Sequence, residues 1–365
     1  MRNKKKVCLI FGFAIIFMSG LLFPVSYGSA EEDKKMLFKR PLKFASWFSP
    51  KHWFPPYEKE LIKKLEDASD GQIKIQFFGA QSLGKILEQY EMVMDGVSDI
   101  SGSVPVAYES DKLPLTSLVE YPFVWKSAEV GTKVFWELYD AGYFKNEYKD
   151  FKLIAYWSCA VNQLYTTKKR IDKIENFKGM KLFAGSPVMF AAFKQLGSIP
   201  IKMGYPDVYT ALQRGTLDGS MGNFFATSHG LRWPEQCKYA WKCDIKGGFG
   251  LVLGVNNDVW NKIPADIQDK WEKVGREMSF KFAKVHDEKT ELGKAAWEKA
   301  GREVIEIPKE EIDKMAEKFL PVWQKWIDDN EAKGRPAKEV YKTYVKIMKE
   351  MGRPVIMKLP GLYEN

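Results

Sequence analysis

The amino-acid sequence predicts an α/β fold whose mostly parallel sheets lie in two lobes. Short β-rich segments alternate with amphipathic helices, which is the pattern of βαβ units. The 365-residue chain remains long enough for two domains, each with its own core, after its first 30 residues are set aside. Because no low-complexity tract or change in composition marks a linker, we expect the chain to cross between the lobes more than once.

The predicted elements rest on apolar spacing, with helical recurrence at Leu61, Ile62 and Leu65 as an example. The predicted strands are Leu42 to Trp47, Ile73 to Phe78, Ile100 to Val104, Phe151 to Trp157, Met180 to Phe183, Pro200 to Met203 and Gly247 to Asn256. The predicted helices are Tyr57 to Ser69, Ile86 to Asp95, Pro187 to Leu196, Pro206 to Arg214, Ala265 to about Gly301, Leu320 to Trp326 and Glu339 to Met348. The residues after Gly352 are expected to form a loosely ordered tail.

The N-terminal residues 1–30 have the pattern of an export signal. Basic residues precede an almost wholly apolar run from Val7 to Leu22, and Gly28-Ser29-Ala30 offers a small-residue cleavage site. The apolar run is shorter than the roughly 20 residues that a membrane-spanning helix prefers. We therefore expect cleavage near Ala30 and a mature chain outside the cytoplasmic membrane.

The charge pattern argues against nucleic-acid binding. The formal net charge is +9, and removal of the leader takes away four of the 56 basic residues and none of the 47 acidic ones, which leaves +5. Basic residues alternate with acidic ones along the predicted helices, as on a solvated surface. No nucleic-acid partner is expected.

Metal and catalytic motifs are missing from the sequence. The three histidines, His52, His229 and His286, form neither an H-E-x-x-H motif nor a Cys/His cluster of zinc spacing, and there is no G-x-S-x-G elbow. We expect no metal, no cofactor and no enzyme activity. Cys237 and Cys243 could form a disulfide outside the cytoplasm, and buried or unpaired thiols are an equally good interpretation.

Aromatic residues are the conspicuous chemical resource, since the chain has 12 tryptophans. In open α/β sheets, ligands bind beyond the carboxyl ends of the strands. Two aromatic clusters fall at such places, and packing into the core explains them equally well. They comprise Trp47, Phe48, Trp53, Phe54 and Tyr57 after the first strand, and Phe224 and Phe225 beside Asn223.

The stretch from Ile174 to Gly219 closely resembles the signature region of the DctP-type solute receptors of TRAP transporters. Its Phe177-Lys178-Gly179 and its run from Tyr209 to Gln213 carry most of the resemblance, and further similarities extend over nearly the whole mature chain. They are Phe78 to Gly84, EQYEMVMDGVSD from Glu88 to Asp99, and Tyr121 to Val124.

The resemblance implies a two-lobed periplasmic-binding-protein fold of class II, with the long helix after Pro264 spanning both lobes. One lobe would hold residues 31–160 and about 252–275, the other residues 161–251 and about 276–352, with a tail at 353–365. Such a receptor captures a small organic solute in the cleft between its lobes and delivers it, in the periplasm, to integral-membrane TRAP subunits. We expect a monomer. A receptor of an ATP-driven importer or of a membrane sensor kinase is an alternative, and a secreted enzyme is a more remote one.

The family's arginine clamp is replaced in this sequence. The family strand reads K-I-R and its arginine grips a carboxylate, whereas this strand reads Lys181-Leu182-Phe183. A second family arginine aligns with Gln163. The solute could be an acid held by amides, an aromatic or apolar molecule, or a cation on an aromatic face. Phe183 could also simply fill the floor of the cleft.

A neutral or aromatic solute with polar anchors is the favoured interpretation. The predicted ligand-binding residues are Trp47, Phe48, Glu88, Trp157, Asn162, Gln163, Phe183, Tyr209, Asn223 and Phe224.

Overall fold

The computed structural model describes residues 35–363 of the chain. The predicted export signal and its cleavage site lie outside these residues. In the described part of the chain, no helix is long and apolar enough to cross a membrane.

Eleven strands in the described residues form two sheets. The five-stranded sheet has the order β2-β1-β3-β10-β4, and the six-stranded sheet has the order β11-β9-β5-β8-β6-β7. The strands are β1 (Leu42–Ala45), β2 (Ile75–Phe78), β3 (Ile100–Pro105), β4 (Phe151–Ser158), β5 (Asn162–Thr166), β6 (Lys181–Phe183), β7 (Ile199–Ile201), β8 (Gly219–Gly222), β9 (Tyr239–Lys246), β10 (Gly250–Asn256) and β11 (Glu303–Glu306).

Both sheets are mixed, with a single strand in each running against the others. β10 pairs antiparallel with β3 and β4, while β1 pairs parallel with β2 and β3. In the other sheet β5 pairs antiparallel with β8 and β9, while the remaining pairs are parallel. The predicted α/β class is confirmed.

The helices of the described residues cover the sheets and join them. They are α1 (Pro55–Ala68), α2 (Gln89–Met94), α3 (Ala128–Asp140), α4 (Pro187–Gln195), α5 (Val208–Gln213), α6 (Phe224–His229), α7 (Asn257–Trp260), α8 (Ala265–Lys299), α9 (Lys309–Glu331) and α10 (Ala337–Glu350).

The chain passes between the two sheets repeatedly. β4 leads into β5 of the other sheet, and β9 returns the chain to β10. The 35-residue helix α8 then contacts α1, α3 and β4 on one side and α6 and β11 on the other. The predicted long helix that spans both lobes is thus confirmed, while the exact lobe boundaries stay a prediction.

Two glycines let other parts of the backbone approach α8 closely. A Cβ atom at Gly275 would lie less than 3.0 Å from the carbonyl oxygen of Ile154 in β4, and one at Gly293 would lie equally close to the backbone of Phe224 and Phe225. Real Cβ atoms essentially never come so near. These two positions hold the helix against one strand and one helix that belong to different halves of the fold.

The C-terminal residues are tied to the core, so the expectation of a loosely ordered tail is wrong. Val355, Met357 and Leu359 are buried beside α10. The hydroxyl of Tyr341 donates to the Met357 carbonyl at 2.6 Å and accepts from the Leu359 amide at 2.9 Å. Apolar side chains two residues apart anchor this extended segment.

Candidate functional site

Four aromatic rings form a row that connects the two halves of the fold. The row, here called the aromatic bridge, consists of Tyr108, Phe249, Tyr205 and Phe183. Neighbouring ring centres lie 6.1 Å apart for Tyr108 and Phe249, 6.3 Å for Phe249 and Tyr205, and 5.6 Å for Tyr205 and Phe183. Tyr108, Phe249 and Tyr205 are half-buried, whereas Phe183 is buried.

Strand direction explains why these residues meet. Tyr108 follows the carboxyl end of β3, Phe183 is the last residue of β6, and Tyr205 follows the end of β7. Phe249 precedes β10, and because β10 runs against its neighbours, its beginning lies at the edge where they end. The predicted location of a site, beyond the carboxyl ends of the strands, is the location of this row.

Phe183 contributes its ring to the six-stranded side of the bridge. It packs edge-on against Tyr205 and belongs to a buried cluster with Tyr165, Phe224 and Trp233. Phe224, another predicted site residue, is buried with its ring centre 5.9 Å from that of Tyr165. Phe183 and Phe224 therefore belong to the same buried apolar cluster, and Phe183 connects that cluster to the aromatic bridge.

Asn223 begins α6 and caps it. Its side-chain oxygen accepts from the Ala226 amide at 2.8 Å, which satisfies one of the free N–H groups at the helix start. The side chain is half-buried. It lies next to Gly222, where a Cβ atom would come within 3.3 Å of the Tyr205 hydroxyl.

The side chain of Gln163 forms hydrogen bonds to an irregular part of the β9 backbone. Its side-chain oxygen accepts from the amides of Cys243 and Asp244 at 2.9 Å each, and its Nε2 donates to Asp244 Oδ1 at 2.7 Å. The register between β5 and β9 shifts at this point, which leaves Asn162 opposite Lys246. Gln163 and Asn162 are both buried.

A buried ion pair lies behind Phe249. Lys246 Nζ lies 2.6 Å from Glu120 Oε2, and the two side chains are 0% and 1% exposed. The ammonium also lies 4.9 Å from the centre of the Phe249 ring. The two opposite charges make this part of the site neutral overall.

The loop after β1 supplies predicted residues on the five-stranded side. Trp47 is half-buried, donates from its indole nitrogen to the Ser103 carbonyl at 2.8 Å, and lies with its ring centre 3.8 Å from that of Phe48. Trp157 is fully buried between Phe54 and Phe282, at ring-centre distances of 5.5 Å and 4.9 Å. Trp157 thus packs in the core of that lobe.

An uncharged carboxyl group lies below Trp47. Glu58 is 1% exposed and accepts hydrogen bonds from the hydroxyls of Ser46 at 2.8 Å and Ser103 at 3.2 Å. Burial raises the pKa of Glu58 to about 8, and the two serine hydrogen bonds only partly oppose that rise. At neutral pH the group is therefore mostly protonated and adds no charge to the site.

Two predicted residues make their polar contacts away from the aromatic bridge, Tyr209 at a half-buried position and Glu88 at the surface. Tyr209 donates from its hydroxyl to Glu235 at 2.6 Å and accepts from Gln236 Nε2 at 2.9 Å. Glu88 is exposed and accepts from the backbone amide of Lys85 at 2.7 Å. The structure does not bring either residue into the contacts of the aromatic bridge.

Neither metal ligands nor a disulfide mark the site. Within residues 35–363 there is no group of three or more His, Cys, Asp or Glu side chains placed to hold a metal ion. Cys159, Cys237 and Cys243 are buried free thiols, and burial raises the pKa of Cys237 to about 12. Of the two interpretations of Cys237 and Cys243, the structure has the unpaired thiols.

Sequence reasoning does not find several residues of the site, namely Tyr108, Tyr205, Phe249 and the Lys246–Glu120 pair. Phe249 stands inside a glycine-rich apolar run that predicts only a buried strand. Lys246 ends β9, a strand that the sequence does not predict, and Glu120 lies far earlier in the chain. The available signal was the position of Tyr108 and Tyr205 at strand ends.

Two mixed sheets flanked by helices, between which the chain passes repeatedly, are the fold of the two-lobed solute-binding proteins. Residues 46–329 match the model of the DctP family, described as bacterial extracellular solute-binding protein, family 7. This chain belongs to that family, whose members are periplasmic receptors of TRAP transporters. The family consists of solute-binding proteins and not of enzymes.

Curated relatives are distant in sequence. A solute-binding protein of Albidiferax ferrireducens is 25% identical over 262 residues, which cover 68% of this chain and 74% of the relative. With some other curated relatives the match spans about half of their length.

Solved structures share the fold over most of the chain. A TRAP solute-binding protein of Rhodoferax ferrireducens T118, in complex with copurified benzoate, has a TM-score of 0.78 at 22% identity and covers 86% of this chain and 98% of its own. A marine-metagenome TRAP solute-binding protein specific for aromatic acid ligands, with 3-hydroxybenzoate, has a TM-score of 0.77 at 21% identity and covers 85% and 98%. At this identity the likeness shows the fold.

Proposed function

We propose that this receptor captures a small aromatic solute without net charge, and that the aromatic bridge provides the surface on which the solute lies. The observation that carries the proposal is Phe183. Its position corresponds by resemblance to the family's carboxylate-binding arginine, and its ring belongs to the bridge. Flat rings offer large contact area to a planar ligand.

The charges around the bridge support an uncharged solute. Lys246 is paired with Glu120, and Glu58 is mostly protonated at neutral pH. Structural neighbours with benzoate or 3-hydroxybenzoate bound favour an aromatic ring in the ligand. Half-buried Asn223, whose side-chain oxygen caps α6, keeps its amide nitrogen as a polar anchor for the solute.

The native solute is best identified by mass spectrometry of the ligand that remains on the purified protein, followed by a thermal-shift screen. A ligand at 100 times its dissociation constant raises the free energy of unfolding by about 2.7 kcal/mol. Retention of an organic acid alone would contradict the uncharged-solute proposal.

Phe183→Arg tests the proposed contact. A guanidinium buried among aromatic rings removes the apolar surface and adds an unpaired charge, so we expect binding of the retained solute to be lost. Phe280→Arg is the matched control, because Phe280 is 38% exposed on α8 and its substitution should leave the affinity unchanged. Unchanged affinity in Phe183→Arg would remove Phe183 from the site.

The transport role is proposed on the family alone. A TRAP receptor delivers its solute to integral-membrane TRAP subunits, and we expect this chain to do so as a monomer. Reconstitution with its cognate membrane subunits should give solute uptake driven by an ion gradient, and uptake that needs ATP instead would support the ATP-driven importer.

A further inference from the structure

The protein around the Lys246–Glu120 pair supplies further hydrogen bonds to it, while Glu120 Oε2 has only its ion-pair contact with the ammonium. Besides Glu120, the Lys246 ammonium reaches the carbonyl oxygens of Gly247 at 3.2 Å and Gly248 at 3.3 Å. The other oxygen of Glu120 accepts from the Gly250 amide at 2.9 Å. Buried charges persist when they are paired and hydrogen-bonded, and here the charges are paired and three hydrogen bonds to backbone groups support them.

Strained backbone flanks the pair on both sides. Asp244, beside the Gln163 amide, has φ of +48°, and Phe123 has φ of +57°. The Phe123 amide donates to the Ile245 carbonyl at 3.1 Å, and Pro122 forms an isolated bridge with Lys246. Non-glycine residues in the left-handed region cost free energy and are retained where the surroundings enforce them, often at functional sites.

The pair lies close enough to the aromatic bridge to act on a bound solute. Lys246 Nζ is 4.9 Å from the centre of the Phe249 ring. The charge of Glu120 contributes, after burial, to raising the pKa of Tyr108 to about 12. Charges that are not solvated act over longer distances than charges in water. A solute on the bridge would therefore experience whichever of the two charges is uncompensated.

We propose that Glu120 masks the charge of Lys246 and thereby makes the receptor select uncharged aromatic solutes over aromatic carboxylates. The inference rests on the proposed function and adds a residue pair that determines specificity without touching the solute. In this proposal the carboxylate of Glu120 neutralises the Lys246 ammonium. Without that carboxylate, the ammonium would attract an anionic solute.

Glu120→Gln is the decisive variant. It keeps the size of the side chain and an oxygen that can accept from Gly250, while it removes the negative charge. The probes are benzoate and benzamide, which have the same shape and differ in charge. We expect the affinity of Glu120→Gln for benzoate to rise at least tenfold over the wild-type protein, and its affinity for benzamide to change less than threefold. Both are measured by calorimetry well below the melting temperature.

Lys246→Met distinguishes an effect of the lysine's charge from an effect of packing that is loosened when the ion pair is broken. This variant also breaks the pair, so a merely structural role would alter both probes alike in the two variants. Our inference requires that Lys246→Met gain no affinity for benzoate. Glu306→Gln, which removes the shared partner of two partly exposed lysines, Lys242 and Lys294, is the control and should change neither affinity.

A double variant covers the case in which a lone buried charge prevents folding. In the neutral Glu120→Gln/Lys246→Met protein, the ratio of benzamide to benzoate affinity should stay within threefold of the wild-type ratio. A larger change overturns the inference, as does a folded Glu120→Gln that gains no benzoate binding. If either of these results is obtained but the wild-type protein retains an uncharged aromatic solute, the inference about Glu120 fails and the proposed function still holds.

Discussion

At the scale of single residues, Phe183 and Gln163, the two positions where the family resemblance implies arginine, make different kinds of contact. Phe183 places a ring in the aromatic bridge, while Gln163 uses its amide to hold the irregular part of β9. An arginine has no acceptor and could not receive the two backbone amides that Gln163 receives. An arginine at position 163 would therefore leave the irregular part of β9 without the acceptor that Gln163 provides.

Gln163→Leu should lower the free energy of unfolding by about 2 to 4 kcal/mol, because it leaves one buried and one partly buried backbone N–H group without an acceptor. Urea denaturation measures the loss. Gln324→Leu is the control: Gln324 has a single side-chain hydrogen bond, to Asp328, at the surface, and its removal should cost less than about 0.5 kcal/mol. Equal losses in the two variants would contradict the assigned role.

At the scale of elements, α8 connects the two halves because two of its residues lack a side chain. Gly275 receives β4 and Gly293 receives the start of α6. Intrinsic helix propensity favours alanine over glycine by about 1 kcal/mol, so the glycines are retained for close packing.

Gly275→Ala should therefore destabilise the protein, although propensity alone predicts the opposite. We expect a loss of about 1 to 3 kcal/mol, since a methyl group there would overlap the Ile154 carbonyl. Ala295→Gly, at an exposed position of the same helix, should cost about 1 kcal/mol from propensity. A more stable Gly275→Ala variant would show that α8 and β4 can move apart without cost.

The contact of α8 with the loop before α1 should make stability depend on pH. Burial lowers the pKa of His52 to about 4 and that of His286 to about 3, and Lys289 further disfavours the charged form of His286. Because these folded-state values are depressed, the unfolded chain binds protons first. The stabilisation is complete above pH 6.5 and is lost as the pH falls toward 4, by up to about 1.4 kcal/mol per pH unit for each histidine.

Urea denaturation between pH 4 and pH 8 measures this loss. His52→Gln/His286→Gln should flatten the dependence, whereas His229→Gln, at an exposed residue, should not. An unchanged slope in the double variant would assign the pH dependence to the carboxyl groups.

Most elements with regular apolar spacing could be predicted from the sequence, although α3 and β9 are not among the predicted elements. Strands built from polar or very small residues could not be predicted. The helix after Pro264 begins and ends within two residues of its predicted bounds, since its apolar stripe is continuous. β8 has the sequence GSMG, and β5 begins with Asn162 and Gln163, so neither shows strand periodicity. Their backbone pairing, not their side chains, makes them strands.

The general location of the candidate site could be predicted from the strand ends, and Phe183 from the family motif, whereas the buried ion pair could not be predicted. Phe183 is conspicuous because the family resemblance predicts an arginine at its position. Lys246 and Glu120 come together through a register shift in β9 and a segment after β3, and sequence separation carries no trace of such a contact. A contact between residues this far apart in sequence is determined by the tertiary fold and not by any local sequence pattern.

At the scale of the whole molecule, the chain passes between the two sheets more than once, and we expect the two lobes to close around a bound solute. A solute that contacts both lobes stabilises the closed state, since only that state offers both sets of contacts. Small-angle scattering should show a smaller radius of gyration with the retained solute than without it. Phe183→Arg with the same solute is the control, and an unchanged radius for the wild-type protein would indicate a rigid receptor.

The position of β10 between β3 and β4 also has a consequence for how the chain folds. β3 and β4 end by residue 158, yet the strand that separates and pairs them begins only at Gly250. Until that strand arrives, both present unpaired edges, which are sites for aggregation. A polypeptide cut before Gly250 should therefore be insoluble, and a chain still being synthesised needs a chaperone, or a late and rapid insertion, to reach the native state.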